Sequence, residues 1–275
     1  MAGRLPDWLI YAAATMALVV AAMVTREGLD APPAPPPLPE DASITAAPDT
    51  PFDPAGVVDA PARRFGPVGG TAFVVGQSGW WLSAPEAVAG CRRIGVEVGP
   101  GAAVVAHRVS AGKIRDLVLL KTEGAPTPLP IASARTLADG QLGFILGFPQ
   151  GRPGEVAVRL IGPEGLKVRG RPGSQLPVLA WAEVGRTQGV GGGLQGLAGG
   201  PVLDPSGQVM GVAVAESPRR GRLFTVTPAE VGEALAGVVQ HRDAAVGMPV
   251  TPENYGRAAD SLRRDLRVAR VRCLD

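Results

Sequence analysis

Beyond residue 65 the chain is broken into short apolar runs separated by glycine and proline, and this punctuation limits the fold more than any other feature. The runs fall at 71–75, 80–82, 94–98, 102–107, 117–120, 142–146, 156–161, 178–182, 209–214 and 223–226. Each is strand-length, rich in Val, Leu, Ile, Phe or Trp, and bounded by turn residues. No helical spacers stand between them, so the pattern excludes alternating βα units and predicts an all-β barrel or sandwich. Gly 38, Pro 28 and only 4% aromatics suit a turn-rich β protein with a small-residue core, although biased codon usage would give the same enrichment.

Helical signals come only after the last run. Thr227-Pro228-Ala229-Glu230 predicts a helix start, with Thr227 as N-cap, Pro228 at the first position and Glu230 completing a capping box. Val231, Leu235 and Val238 then form one apolar stripe, fit to dock on the β domain. A second start at Thr251-Pro252-Glu253 precedes Tyr255, Leu262 and Leu266 on one face of a basic helix. Residues 269–273 alternate like an edge strand.

The N-terminal part has a different character. Residues 8–24, from Trp8 to Val24, carry no charge and as a helix would rise about 25 Å, at the short end of a bilayer core. The reading favours an uncleaved membrane anchor over a cleaved signal peptide, because no small-x-small cleavage site precedes Thr25. Residues 31–55 hold nine prolines, including Pro35-Pro36-Pro37, and too few apolar groups to fold; a semi-rigid tether is expected. Without flanking Arg or Lys these prolines do not read as a ligand for a partner domain. The expected organisation is anchor 1–28, Pro-rich linker 29–62, β domain with docking helix 63–240, and C-terminal helix and tail 241–275. A formal charge of +2 is too small to point to nucleic acid. The two cysteines, Cys91 and Cys273, are too few for a metal cluster.

Five segments, in order and at similar spacing, resemble the trypsin-like serine proteases of the bacterial HtrA kind. Gly70-Thr71-Ala72-Phe73-Val74-Val75 is similar to the family's first-barrel strand G-T-G-F-x-V. Leu82-Ser83-Ala84-Pro85-Glu86-Ala87-Val88 is similar to the turn that presents the catalytic histidine. Asp116-Leu117-Val118-Leu119-Leu120-Lys121 resembles the segment that presents the aspartate. Gly143 to Pro149 resembles a second-barrel strand ending in G-x-P, and Gly196-Leu197-Ala198-Gly199-Gly200-Pro201 resembles the nucleophile turn G-N-S-G-G-P. The resemblance covers about residues 65–235. It implies two antiparallel six-stranded β-barrels with a C-terminal helix, preceded here by one N-terminal transmembrane helix.

The chemistry does not follow so simply. In the family a histidine takes the serine's proton and a buried aspartate orients that histidine. Only Asp116 matches the triad, since Glu86 stands at the histidine position and Ala198 at the serine position. His107 and His241 are the only histidines, and neither is placed to act as a relocated base. Cys91 has no paired histidine to ionise it. At Glu86 two carboxylates would meet in a partly buried cleft, and like charges there raise one pKa. A shared proton, a bound cation, or Glu86 turned outward near Arg92 and Arg93 are the outcomes. The last is expected, because two carboxylates are too few ligands for calcium.

The oxyanion hole is backbone, and the resemblance assigns it to the N–H groups of Gly196 and Ala198, which no side-chain change removes. The glycines of 189–193 fall where the family builds its specificity pocket; no Gly-Lys-Ser/Thr follows them, so a mobile, poorly formed pocket wall is expected rather than a phosphate loop. An extracytoplasmic setting favours a Cys91–Cys273 bridge fastening the tail to the first barrel, the alternative being two unpaired thiols. No cofactor and no metal are expected. Nor is a peptide-binding PDZ domain, since too few residues follow the docking helix. The overall expectation is an inactive, HtrA-like domain anchored to a bacterial inner membrane and facing the periplasm, binding an envelope protein or peptide segment. The rival class is an enzyme, either a protease with residual activity or a hydrolase using Glu86 and Asp116, and a third reading is a purely structural domain.

Overall fold

The computed structural model describes residues 16, 69–111, 114, 116–132, 137–167, 175–236 and 247–274. The expected anchor at 8–24, apart from Met16, and the Pro-rich linker lie outside them. Among the described residues no helix is long and apolar enough to cross a membrane.

Twelve strands form two closed antiparallel barrels. The first barrel draws on β1 (Gly70–Gly76), β2 (Trp80–Ser83), β3 (Ile94–Gly99), β4 (Ala102–Ser110) and β5 (Val118–Lys121). The second is built from β6 (Leu142–Gly147), β7 (Gly154–Lys167), β8 (Gln175–Arg186), β9 (Pro201–Leu203), β10 (Val209–Ser217) and β11 (Arg222–Thr225). Its short strand β9, opening on a proline, gave no sequence signal. Among the described residues two helices follow, α1 (Pro228–Leu235) and α2 (Tyr255–Arg264), and then β12 (Val268–Cys273).

The strands read as apolar runs rather than as alternating patterns because most bury both faces. Ala72, Val74, Trp81, Leu120 and Val271 fill the first barrel. Their neighbours in sequence, Phe73, Leu82 and Leu119, point the other way and pack with Phe144, Leu146, Val212, Val231 and Tyr255 in a core between the barrels. Ile145, Val156, Trp181 and Val202 fill the second barrel. Each barrel core holds one fully buried tryptophan whose Nε1 donates to a threonine: Trp81 to Thr122 Oγ1 and Trp181 to Thr225 Oγ1, both at 2.9 Å. Those bonds satisfy the only polar atom of each indole.

The C-terminal segment differs from its expected form in two ways. The strand at its end is not an edge strand. It pairs with β1 (Thr71 opposite Arg270) and with β3 (Gly95 opposite Arg272), and so closes the first barrel. Nor does α2 reach Leu266. The helix ends at Arg264, and Leu266, at φ 55°, turns the chain back into β12. The α1 capping box forms as read, with Glu230 N–H donating to Thr227 Oγ1 at 3.2 Å and Thr227 N–H to Glu230 Oε2 at 2.8 Å. Val238 lies outside the described residues.

Two devices lock this returning segment. Cys91, just after the Glu86 turn, is disulfide-bonded to Cys273 with a Cα–Cα distance of 5.0 Å, closing a separation of 182 residues. At the other end Arg263 pairs with Glu155, which is 1% exposed at the start of β7. The same guanidinium donates to Asp260 Oδ1 (2.8 Å), Gly154 O (3.0 Å) and Gly147 O (3.2 Å) and lies over the Phe148 ring. Thr187 Oγ1 donates to the other oxygen of Glu155. Beside them Tyr255 stacks on Phe144, and burial, with Glu155 and Glu183 nearby, pushes its phenol up to about 12.

Replacing both cysteines by serine should lower the unfolding free energy by about 2–5 kcal/mol, because a long loop is released in the unfolded chain. Urea titration checks this, and an unchanged midpoint would mean that β12 is held by its backbone pairing alone. Arg263→Ala should cost about 3–5 kcal/mol by stranding the buried Glu155 carboxylate. A loss below about 1 kcal/mol in the same titration would rule out a dry ion pair there.

Candidate functional site

The site lies where the first barrel meets the turn between β8 and β9. Strand β2 ends at Ser83, which faces Ala72 of β1 and Val118 of β5. Pro85 then opens a single 3-10 turn, Pro85–Val88, whose Ala87 and Val88 are buried while Glu86 is half-buried. Asp116 lies two residues before Val118, at the same end of the barrel, and is also half-buried. Both residues interact with neighbours, and neither is fully exposed.

Glycine contacts bring the third position to these two. A Cβ on Gly70 would lie 2.2 Å from Ala87 Cβ and 2.9 Å from Ala198 O, so the Glu86 turn and Ala198 close on one glycine. Gly199, at φ 87°, would put a Cβ 2.1 Å from Thr71 O and 2.4 Å from Ser83 Oγ. Only glycine fits there, on both conformational and steric grounds. The Glu86 turn and Ala198 are therefore adjacent across Gly70, and Asp116 precedes the strand that pairs with Ser83.

The turn itself is fully specified by hydrogen bonds. Gln150 N–H donates to Gln195 O, Gly200 N–H to Leu197 O at 2.8 Å, and Thr71 N–H to Ala198 O at 2.9 Å. Thr71 Oγ1 donates to Gly196 O at 2.9 Å. On the donor side Leu197 N–H bonds Leu194 O at 2.9 Å and Gly199 N–H bonds Ala213 O at 2.8 Å. Every carbonyl from Gln195 to Ala198 is thus held. Three N–H groups remain, those of Gln195, Gly196 and Ala198, and none of them meets an acceptor among the described residues. A planar peptide whose carbonyl is held one way aims its N–H the other way. The Gly196 and Ala198 donors are therefore fixed in direction by the held Gln195 and Leu197 carbonyls, and such a pair can receive a carbonyl or carboxylate oxygen.

The glycine-rich loop before this turn is fastened, contrary to the expected mobile wall. Gln150 Nε2 donates to Gly191 O and to Gly193 O (2.9 Å). Arg186 Nη1 donates to Gly192 O (2.9 Å) and Val190 O (3.3 Å), and Leu194 N–H donates to Glu216 Oε2 at 2.7 Å. Burial holds the Glu216 carboxyl above the usual range, opposed by the Leu194 N–H bond and by Arg186. The paired carboxylate of Glu183 in turn raises the Arg186 guanidinium.

His107 sits exposed on β4, paired with Lys121, and takes no part in the site; His241 lies outside the described residues. Among the described residues no three His, Cys, Asp or Glu side chains are grouped to hold a metal. Sequence reasoning missed Thr71, Ser83 and Gln150. Thr71 was visible only as the second residue of a strand, and Gln150 depends on a left-handed backbone (φ 53°) that no local motif announces.

The description Trypsin-like peptidase domain matches residues 70–212, more than half of the chain. Among solved structures, the inactive form of the Rv3671c protease of Mycobacterium tuberculosis is 26% identical, with a TM-score of 0.50 over 62% of this chain and 83% of that one. The active form of the same protease is 25% identical, with a TM-score of 0.51 over 68% and 78%. The HtrA-type protease AlgW with a decapeptide is 18% identical, covering 61% of this chain and 50% of that one at a TM-score of 0.47. No curated protein matches the chain. Two closed six-stranded barrels meeting at a turn of this hydrogen-bonding pattern agree with the matched description, and the chain belongs to the trypsin-like peptidase family.

Proposed function

We propose that this protein is a proteolytically inactive member of its family that binds an extended protein segment at the former active site. The observation that carries the reading is the pair of fixed, unused N–H donors at Gly196 and Ala198 around a position whose side chain is a methyl group. A carbonyl of a bound segment would accept from both donors. A methyl group has no lone pair with which to attack that carbonyl, and Glu86 has replaced the base that would activate a hydroxyl. Donors without a nucleophile favour retention over turnover.

The fastened loop at 189–194 supports the same reading, since a pre-formed wall loses little entropy on binding. The apolar residues 8–24 and the prolines after them suit a single-pass anchor and a spacer, which would set the domain in the periplasm of a bacterium beside envelope proteins. The competing reading is a hydrolase that uses Glu86 and Asp116.

Full-length protein with β-casein separates the two. The expected result is casein binding without release of acid-soluble peptides. Peptide release that disappears in Asp116→Ala would overturn the inactive reading, and an absence of binding would overturn the binding reading. Crosslinking of the protein in its own envelope would then name the natural partner.

A second test addresses the scaffold. Because nucleophile and base act as a unit, Ala198→Ser alone should stay unreactive toward a fluorophosphonate, while Glu86→His with Ala198→Ser should react about a hundredfold faster than either single variant. Equal rates in all three would mean that the cleft no longer holds the three positions in register.

A further inference from the structure

Thr71 sits at the second residue of β1, in the first barrel, and is completely buried. It touches the turn of the second domain half twice. Its N–H donates to Ala198 O at 2.9 Å, and its hydroxyl donates to Gly196 O at 2.9 Å. That hydroxyl also accepts from Phe148 N–H at 3.1 Å, at the end of β6. Ser83 Oγ donates to Thr71 O at 2.6 Å, anchoring the threonine from the other side. A single hydroxyl thus ties three backbone segments together: β1, the 194–200 turn, and the β6 end.

We propose that Thr71 is the positioning residue of the two-amide pocket, and that its hydroxyl holds Gly196 and Ala198 with their N–H groups open to a ligand oxygen. This inference rests on the binding reading above and names the residue on which the site's geometry depends. The physical reason lies in the peptide unit between Gly196 and Leu197. Its carbonyl is held by Thr71 Oγ1 and its N–H by Leu194 O, so it is pinned at both ends, and it lies between the units that carry the Gly196 and Ala198 donors. Gly196 is at φ 95°, where rotation is least restricted by its own side chain. Without the hydroxyl, nothing in the first barrel would hold the Gly196 carbonyl, and that unit could rotate until one open donor found an internal acceptor.

The surroundings fit this role. A Cβ on Gly147 would lie 2.5 Å from Thr71 Oγ1, so glycine at that position leaves room for the hydroxyl. A Cβ on Gly196 would lie 2.5 Å from Phe148 O, so the turn rests directly on the segment whose N–H the hydroxyl accepts. The threonine methyl keeps the β-branched fit of a buried strand residue, and valine would preserve that shape while removing only the hydrogen bonds.

The test uses the full chain as wild type, Thr71→Val and Thr71→Ser, with hydrogen exchange of the segment spanning Leu194 to Gly200 and β-casein binding as readouts. Thr71→Val should speed exchange at Leu197 and Gly199 by about tenfold while strand 156–160 of β7 keeps its rate, because only a local opening is changed. It should also weaken β-casein binding by about tenfold, and Thr71→Ser should restore both. A variant Thr71→Val that keeps wild-type exchange in this segment, or a Thr71→Ser that behaves like valine, would overturn the assignment. If wild type fails to bind β-casein, the binding reading falls, whereas the exchange result still decides whether Thr71 orders the turn.

Discussion

The architecture depends on the pairing of the last strand with the first. β12 lies between β1 and β3, and without it the first barrel would present two open edges, each with unpaired N–H and C=O groups. Because β12 follows the second barrel and α2 in sequence, the chain must return from the second barrel to close the first. That couples the two barrels into one cooperative unit, and the coupling is reinforced at each end of the segment. Arg263 ties α2 to the start of β7, and Cys273 ties the tail to the turn behind Glu86. The residues that close the barrel therefore also brace the site.

The site inherits its rigidity from the same interface. Its ligands are backbone amides, and backbone can be held only by other backbone or by buried polar side chains. Thr71 supplies both, from a strand that is itself held by β12 on one side and β2 on the other. Gln150 supplies the grip from the second barrel. The turn therefore keeps its shape with alanine at position 198 and glutamate at position 86. The side chains that perform chemistry and the groups that hold the turn are different atoms.

Much of the architecture was legible along the chain. Strands buried on both faces must be apolar throughout, and the turns between them need glycine and proline, so the β runs stood out despite their brevity. The α1 start was readable because a capping box is local: donor and acceptor are three residues apart. Other features were hidden because their causes are distant in sequence. Strand β9 is three residues long and opens on Pro201, too little for a pattern. The closing role of β12 depends on partners at 70–73 and 94–96. The fastened glycine loop depends on Gln150, Arg186 and Glu216, none of which is adjacent to the glycines it holds.

By itself the sequence determined the fold class and the family resemblance, and with that resemblance the residues, Glu86, Asp116 and Ala198, that it aligns with a triad. These follow from residue types and short-range order, which survive without coordinates. Only the tertiary structure decided that β12 completes a barrel, that Cys91 and Cys273 meet, and that the Gly196 and Ala198 donors are left unused. Whether an N–H is used depends on where every neighbouring carbonyl points, and that is settled by contacts between segments more than a hundred residues apart, such as Thr71 with Gly196.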